Sequence, residues 1–171
     1  MKNCRTYLEL RSQGYETVSD REFRVMKYTG ARCVALNELK KANPAQHDYL
    51  SGFLLDANAL SYLSPRLGLT VSDFDVERRT EAERQGMSWK DFEPDIVAVV
   101  IGPDEIEMTG DGWTVQLTGY AWGDFDGDGF QDVLLRADAW LSEGTWTSVR
   151  LFRLTRTSAV GKLSIAWEYD L

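Results

Sequence analysis

The chain has 171 residues, of which 43% are hydrophobic and 27% charged, a balance that supports a packed core and excludes a disordered tail. Acids outnumber bases 27 to 19, for a formal net charge of -8. That speaks against nucleic acid as a partner, because nonspecific binding needs clustered Lys and Arg on phosphates. No apolar run reaches the ~18–20 residues required to span a bilayer, so no membrane span is expected.

The charge is uneven. Residues 1–41 carry nine bases and five acids, whereas residues 42–171 carry ten bases and twenty-two acids. The stretch from Asp91 to Asp132 holds eleven acids and neither Lys nor Arg. Carboxylates at that density repel one another unless protons, backbone N–H groups or a cation relieve them. Outside the loop described below, a solvated acidic face is an equal reading.

Taken in chain order, the alternation of Phe23, Val25 and Lys27 against Arg24, Met26 and Tyr28 predicts an N-terminal strand. Cys33 to Lys41 then reads as a short helix. Asn43 followed by Pro44, with Gln46 placed to complete a capping box, predicts a longer helix. Tyr49, Leu50, Phe53, Leu54, Ala57 and Leu60 mark its apolar face at the 3.6-residue period. Ser64-Pro65 ends it. Residues 66–78 read as a connector, and the capping box Thr80-Glu81-Ala82-Glu83 opens a further short helix.

After Pro94 the pattern changes to strands. These are the apolar run Ile96 to Ile101, the alternation around Trp113, Val115 and Leu117, then Val133 to Leu141, Thr147 to Thr155, and Leu163, Ile165, Trp167 and Tyr169. Trp113, Val115, Leu117, Leu163, Ile165 and Trp167 are expected to face inward. Turn-rich segments separate the strands, which is the signature of an antiparallel meander. The expectation is an α+β chain, read as one domain over 1–171. Residues 1–93 are mainly helical with an N-terminal strand, and 94–171 form the meander.

Two cysteines, Cys4 and Cys33, have neither CxxC nor zinc-site spacing. An even count fits one disulfide pinning the N-terminal arm, and two separate buried thiols are the alternative. A disulfide implies an oxidising compartment, periplasmic or extracellular. Residues 1–13 contain no apolar stretch of signal-peptide type.

The strongest local pattern is Asp124-Phe125-Asp126-Gly127-Asp128-Gly129-Phe130-Gln131-Asp132, with carboxylates at relative positions 1, 3, 5 and 9. Ca²⁺ is a hard cation that takes six to eight oxygens at flexible angles. Alternate carboxylates in a tight loop can all turn toward one ion, and Gly127 and Gly129 allow the backbone angles such a turn demands. The carbonyl of Phe130, at position 7, is a natural further ligand. An acidic hairpin tip with no ion is the alternative. An EF-hand is excluded, because position 12 is Leu135 and both flanks are strand sequences.

With those flanks, Gly123 to Val133 resembles the calcium loop of FG-GAP or VCBS-type repeats, over about twenty residues of the 171. The resemblance implies Ca²⁺ ligation by Asp124, Asp126, Asp128 and Asp132, with Phe125 and Val133 packed beneath. A β-propeller needs several blades and this chain has one copy, so only the loop carries over.

No GxSxG, phosphate loop, dinucleotide fingerprint or HExxH is present, and His47 is the sole histidine. No catalytic residue is assigned. Trp140 falls on a more polar face with Leu134, Arg136 and Asp138. It is the expected contact for a protein partner, with Arg150, Arg153 and Arg156 nearby in sequence either forming a basic rim or pairing with the acids. The expectation is a non-enzymatic, secreted or periplasmic Ca²⁺ protein that binds another protein, as an inhibitor or immunity-type protein would. A carbohydrate-active hydrolase using acidic residues and a structural domain of a surface assembly are the rivals.

Overall fold

A computed structural model describes residues 3–16, 19–53 and 55–171. Two helices come first. In α1 (Cys4–Ser12), the Asn3 side chain accepts the Thr6 N–H at 3.0 Å, and in α2 (Asp20–Leu39) Ser19 does the same for Glu22. A disulfide joins Cys4 to Cys33 across the pair. The helices cross closely at Gly30, where a Cβ would run into the Tyr7 hydroxyl.

The expected strand at 23–28 is therefore helix, and the short helix expected at 33–41 is the end of the same element. The apolar residues that imitate a strand, Phe23, Val25 and Tyr28, lie on the outside of α2. The buried face is carried by Ala31, Val34 and Ala35, at helical spacing.

The helix expected after Asn43 does not form. Residues 40–53 and 55–58 run irregularly, followed by 3-10 turns at Ala59–Ser61 and Pro65–Leu67. Of the expected apolar face, Leu50 and Leu60 are buried and Tyr49 and Phe53 half-buried, whereas Ala57 is exposed, and no helical face presents them. Leu54 lies outside the described residues. The cause is non-local: the backbone groups of Asn43, Gln46 and His47 bond to the acidic loop instead of to a helix. Next, α3 (Asp73–Arg84) starts earlier than expected. Ser72 caps it on Asp75, and Thr80 sits inside it. A four-residue α4 (Trp89–Phe92) has a full capping box between Ser88 and Asp91.

The rest is a six-stranded antiparallel meander in chain order: β1 (Val97–Gly102), β2 (Glu105–Gly110), β3 (Trp113–Gly123), β4 (Asp132–Leu141), β5 (Thr147–Thr155) and β6 (Ser164–Asp170). The α+β arrangement of helices followed by a meander is as expected. β2 is an addition, with Ile106 and Met108 fully buried in alternation with Glu105 and Glu107.

The sheet has a core on each face. Ile106, Met108, Val115, Leu117, Val133, Leu135, Phe152 and Leu154 pack against Trp89, Leu50, Leu55, Leu60, Leu63 and Leu67. Leu134, Val149 and Leu151 pack against Tyr7, Val34 and Ala35 of the helical pair. A bulge between Arg153 and Leu154 changes the phase of β6. Ile165 thus faces the first core as expected, but Trp167 joins Tyr169 on the helical side. No helix among the described residues is long and apolar enough to cross a membrane.

Candidate metal centre

The acidic loop caps the hairpin between β3 and β4, whose last cross-strand pair is Gly123 and Asp132. Its shape is built from carboxylates accepting loop N–H groups. Asp124 accepts from Gly127 at 2.7 Å through one oxygen and from Gly129 at 3.0 Å through the other. Asp126 accepts from Asp128 at 3.4 Å, and Asp128 accepts from Phe130 at 2.8 Å. These short Asx turns wind the chain inward. Gly127 and Gly129 stand at φ +82 and +88, a region costly for other residues.

The result is that Asp124, Asp126 and Asp128 each bring an oxygen to within 4.8 Å of the others, a cluster that can hold a metal ion. Asp124 is buried at the base, and Asp126 and Asp128 are open to solvent, so an ion has a path in.

Asp132 is not a member of that cluster. It is fully buried beneath the loop, where one oxygen accepts the Phe125 N–H at 3.2 Å. Its other oxygen is buried without a hydrogen-bond partner. Burial, helped by the like charge of Asp126, pushes its carboxyl above the ordinary carboxylate range. Phe125 and Val133 are both buried, on opposite faces of the sheet.

A strap that sequence reading does not anticipate holds the loop from outside. Asn43 exchanges backbone hydrogen bonds with Asp124 at 2.8 and 3.0 Å. The N–H groups of Gln46 and His47 both donate to the Gly129 carbonyl, and Gln131 donates to the His47 carbonyl. The Phe130 ring packs beside His47 and Tyr49, with centroids 5.5 and 6.0 Å away. His47 is thus a structural contact of the loop. No local pattern announces this strap, because its partners lie some eighty residues away in sequence.

Three of the residues expected to meet a partner are placed differently from one another. Trp140 is half-buried beside Tyr28 and Asp138 at a hollow of about 330 Å³. Arg150 is buried, not on a rim. It donates to the carbonyls of Arg66, Leu67 and Gly68 and to Glu168, and burial lowers its pKa. Arg153 reaches into the metal centre, with Nη2 2.7 Å from Asp126 and Nε 3.7 Å from Asp132.

Chemically, the centre offers an all-oxygen donor set of three carboxylates, with the Arg153 guanidinium beside it and the buried Asp132 beneath. That excess of negative charge favours a hard cation over a neutral or anionic ligand. Comparison with family models, with curated proteins and with solved structures finds no match for this chain.

Proposed function

We propose that the chain is a calcium-stapled protein of an oxidising compartment, periplasmic or extracellular, that acts by binding another protein and not by catalysis. The observation that carries the reading is the convergence of Asp124, Asp126 and Asp128 on one point, with Arg153 the counter-charge paired to it among the described residues. Calcium suits this point better than magnesium. It accepts six to eight oxygens at flexible angles, whereas magnesium demands a near-ideal octahedron. The resemblance of Gly123 to Val133 to FG-GAP or VCBS-type loops supports the same ion. The Cys4–Cys33 disulfide supports the compartment, where millimolar calcium would fill even a weak site.

With an ion in place, the loop, the β3–β4 hairpin and the 43–47 strap become one unit. The role is that of a staple, adding RT ln(1 + [L]/Kd) to stability, or roughly 2.7 kcal/mol at a hundredfold excess over Kd. The sharper form of the reading is an inhibitor or immunity-type protein that neutralises a toxin or a cell-wall enzyme. Affinity capture from cell-envelope extract in calcium tests it, followed by an activity assay of the captured enzyme. Stoichiometric inhibition supports the reading; no captured partner, or a captured enzyme that keeps full activity, removes it.

A further inference from the structure

β1 is the outermost strand of the sheet, and among the described residues no strand pairs with its free edge. Its sequence, Val97 to Gly102, contains no charge and no proline. Val97, Val99, Val100 and Ile101 are 59, 53, 51 and 45% exposed. Natural edge strands are usually blunted by lysine, proline or a covering loop, because an open edge recruits another strand. Here the nearby Lys90 is engaged, donating to the carbonyls of Pro94 and Ile96 ahead of the strand. The bulge at the far end, between Val100 and Gly102, leaves Val97 to Val100 in regular register.

What surrounds this edge is acidic. Asp95 and Asp104 lie exposed just beyond its two ends, and Glu107 stands directly across from Val99 on β2. A second copy pairing antiparallel through β1 would set Asp95 of one chain near Asp104 of the other. That arrangement is repulsive at both ends. A segment carrying lysine or arginine meets the opposite situation. Its backbone can bond along the edge, its alternate apolar side chains can cover Val97 and Val99, and its cations can reach Asp95, Asp104 and Glu107.

We infer that β1 docks an extended, basic segment of a partner protein as an added strand at the edge of the sheet. This rests on the reading of the chain as a protein-binding module, and gives that reading a surface and a partner chemistry.

The test uses the full chain in calcium and two blocked peptides that alternate valine and threonine, one with lysine at both ends and the other with glutamate. Amide hydrogen exchange is followed across residues 97–102. The lysine peptide is expected to slow exchange there by about tenfold at ten times its Kd, and the glutamate peptide to have no effect. Val99→Lys, at an exposed position, should abolish the protection while leaving the melting temperature unchanged. Asp95→Asn with Asp104→Asn should weaken binding of the lysine peptide severalfold. No protection at 97–102, equal protection by both peptides, or a β1-mediated dimer of the free chain overturns the inference. Those results leave the protein-binding reading standing on its own capture assay, where Val99→Lys would then retain the partner.

Discussion

Arg153 on β5 and Asp126 at the tip of the acidic loop meet at 2.7 Å, tying the outer part of the sheet to the β3–β4 hairpin. The guanidinium is mostly buried and the carboxylate partly open, with side chains 11 and 36% exposed. This one cation offsets part of the loop's charge and also anchors one of its two exposed clustered carboxylates. A divalent ion bound at the cluster would therefore share the work of neutralisation with Arg153.

Replacing Arg153 with Gln should make that sharing visible. In EGTA the variant is expected to lose about 1 kcal/mol, the scale of a partly exposed charge-assisted contact. Its loop is then more negative, so the rise in melting temperature on adding calcium should be larger than in the unaltered chain. An equal or smaller rise would show that Arg153 does not share the loop's charge with an ion.

The Cys4–Cys33 bond closes a loop with a sequence separation of 29 and fastens α1 against α2. In the chain-entropy account such a loop contributes roughly 3–4 kcal/mol. Urea unfolding of Cys4→Ser with Cys33→Ser, compared with the oxidised chain, should show a loss of that size. Reductant should lower the oxidised chain to the same midpoint and leave the double variant unmoved.

Arg150 carries a different kind of stabilisation. It joins β5 to the Pro65–Leu67 turn through three backbone carbonyls and pairs with Glu168. Arg150→Ala leaves those buried acceptors without their donor, at an expected cost of about 3–5 kcal/mol by urea midpoint. A cost below 1 kcal/mol would place the side chain at the surface instead.

The N-terminus of α3 should respond to acid. The Ser72 hydroxyl, with the Val71 N–H, holds the Asp75 carboxyl below its ordinary value of 3.8. The folded state therefore binds this proton less readily than the unfolded state. Its contribution is fully present above pH 3.8 and is lost as pH falls through the folded value. Asp75→Asn should remove that part of the acid dependence, read as a flatter stability curve below pH 4 or so. An unchanged curve would exclude the linkage.

The sequence is legible where structure is local. β3 follows from period-two alternation, β4 to β6 from strand-length segments set off by turn residues, and the acidic loop from its aspartates and glycines. β2 carries the same signal in Glu105-Ile106-Glu107-Met108, overshadowed by the Gly102-Pro103 break before it. Reading fails where distant residues decide. α2 places Phe23, Val25 and Tyr28 outward, so its apolar residues do not trace the buried stripe. The Asn43-Pro44 start signal is overridden by backbone bonds to Asp124 and Gly129. Trp167 changes face through a bulge no local pattern marks. Arg150 and Arg153 read as surface charge because nothing nearby in sequence tells which carbonyl or carboxylate will receive them.

Thermal unfolding of the chain and of Asp128→Asn, each in EGTA, millimolar magnesium and millimolar calcium, tests the staple most directly. The expected result for the unaltered chain is a rise of roughly 5–10 °C in calcium, a smaller one in magnesium, and little change with either ion in the variant. Identical melting temperatures of the unaltered chain in EGTA and in calcium would contradict the account.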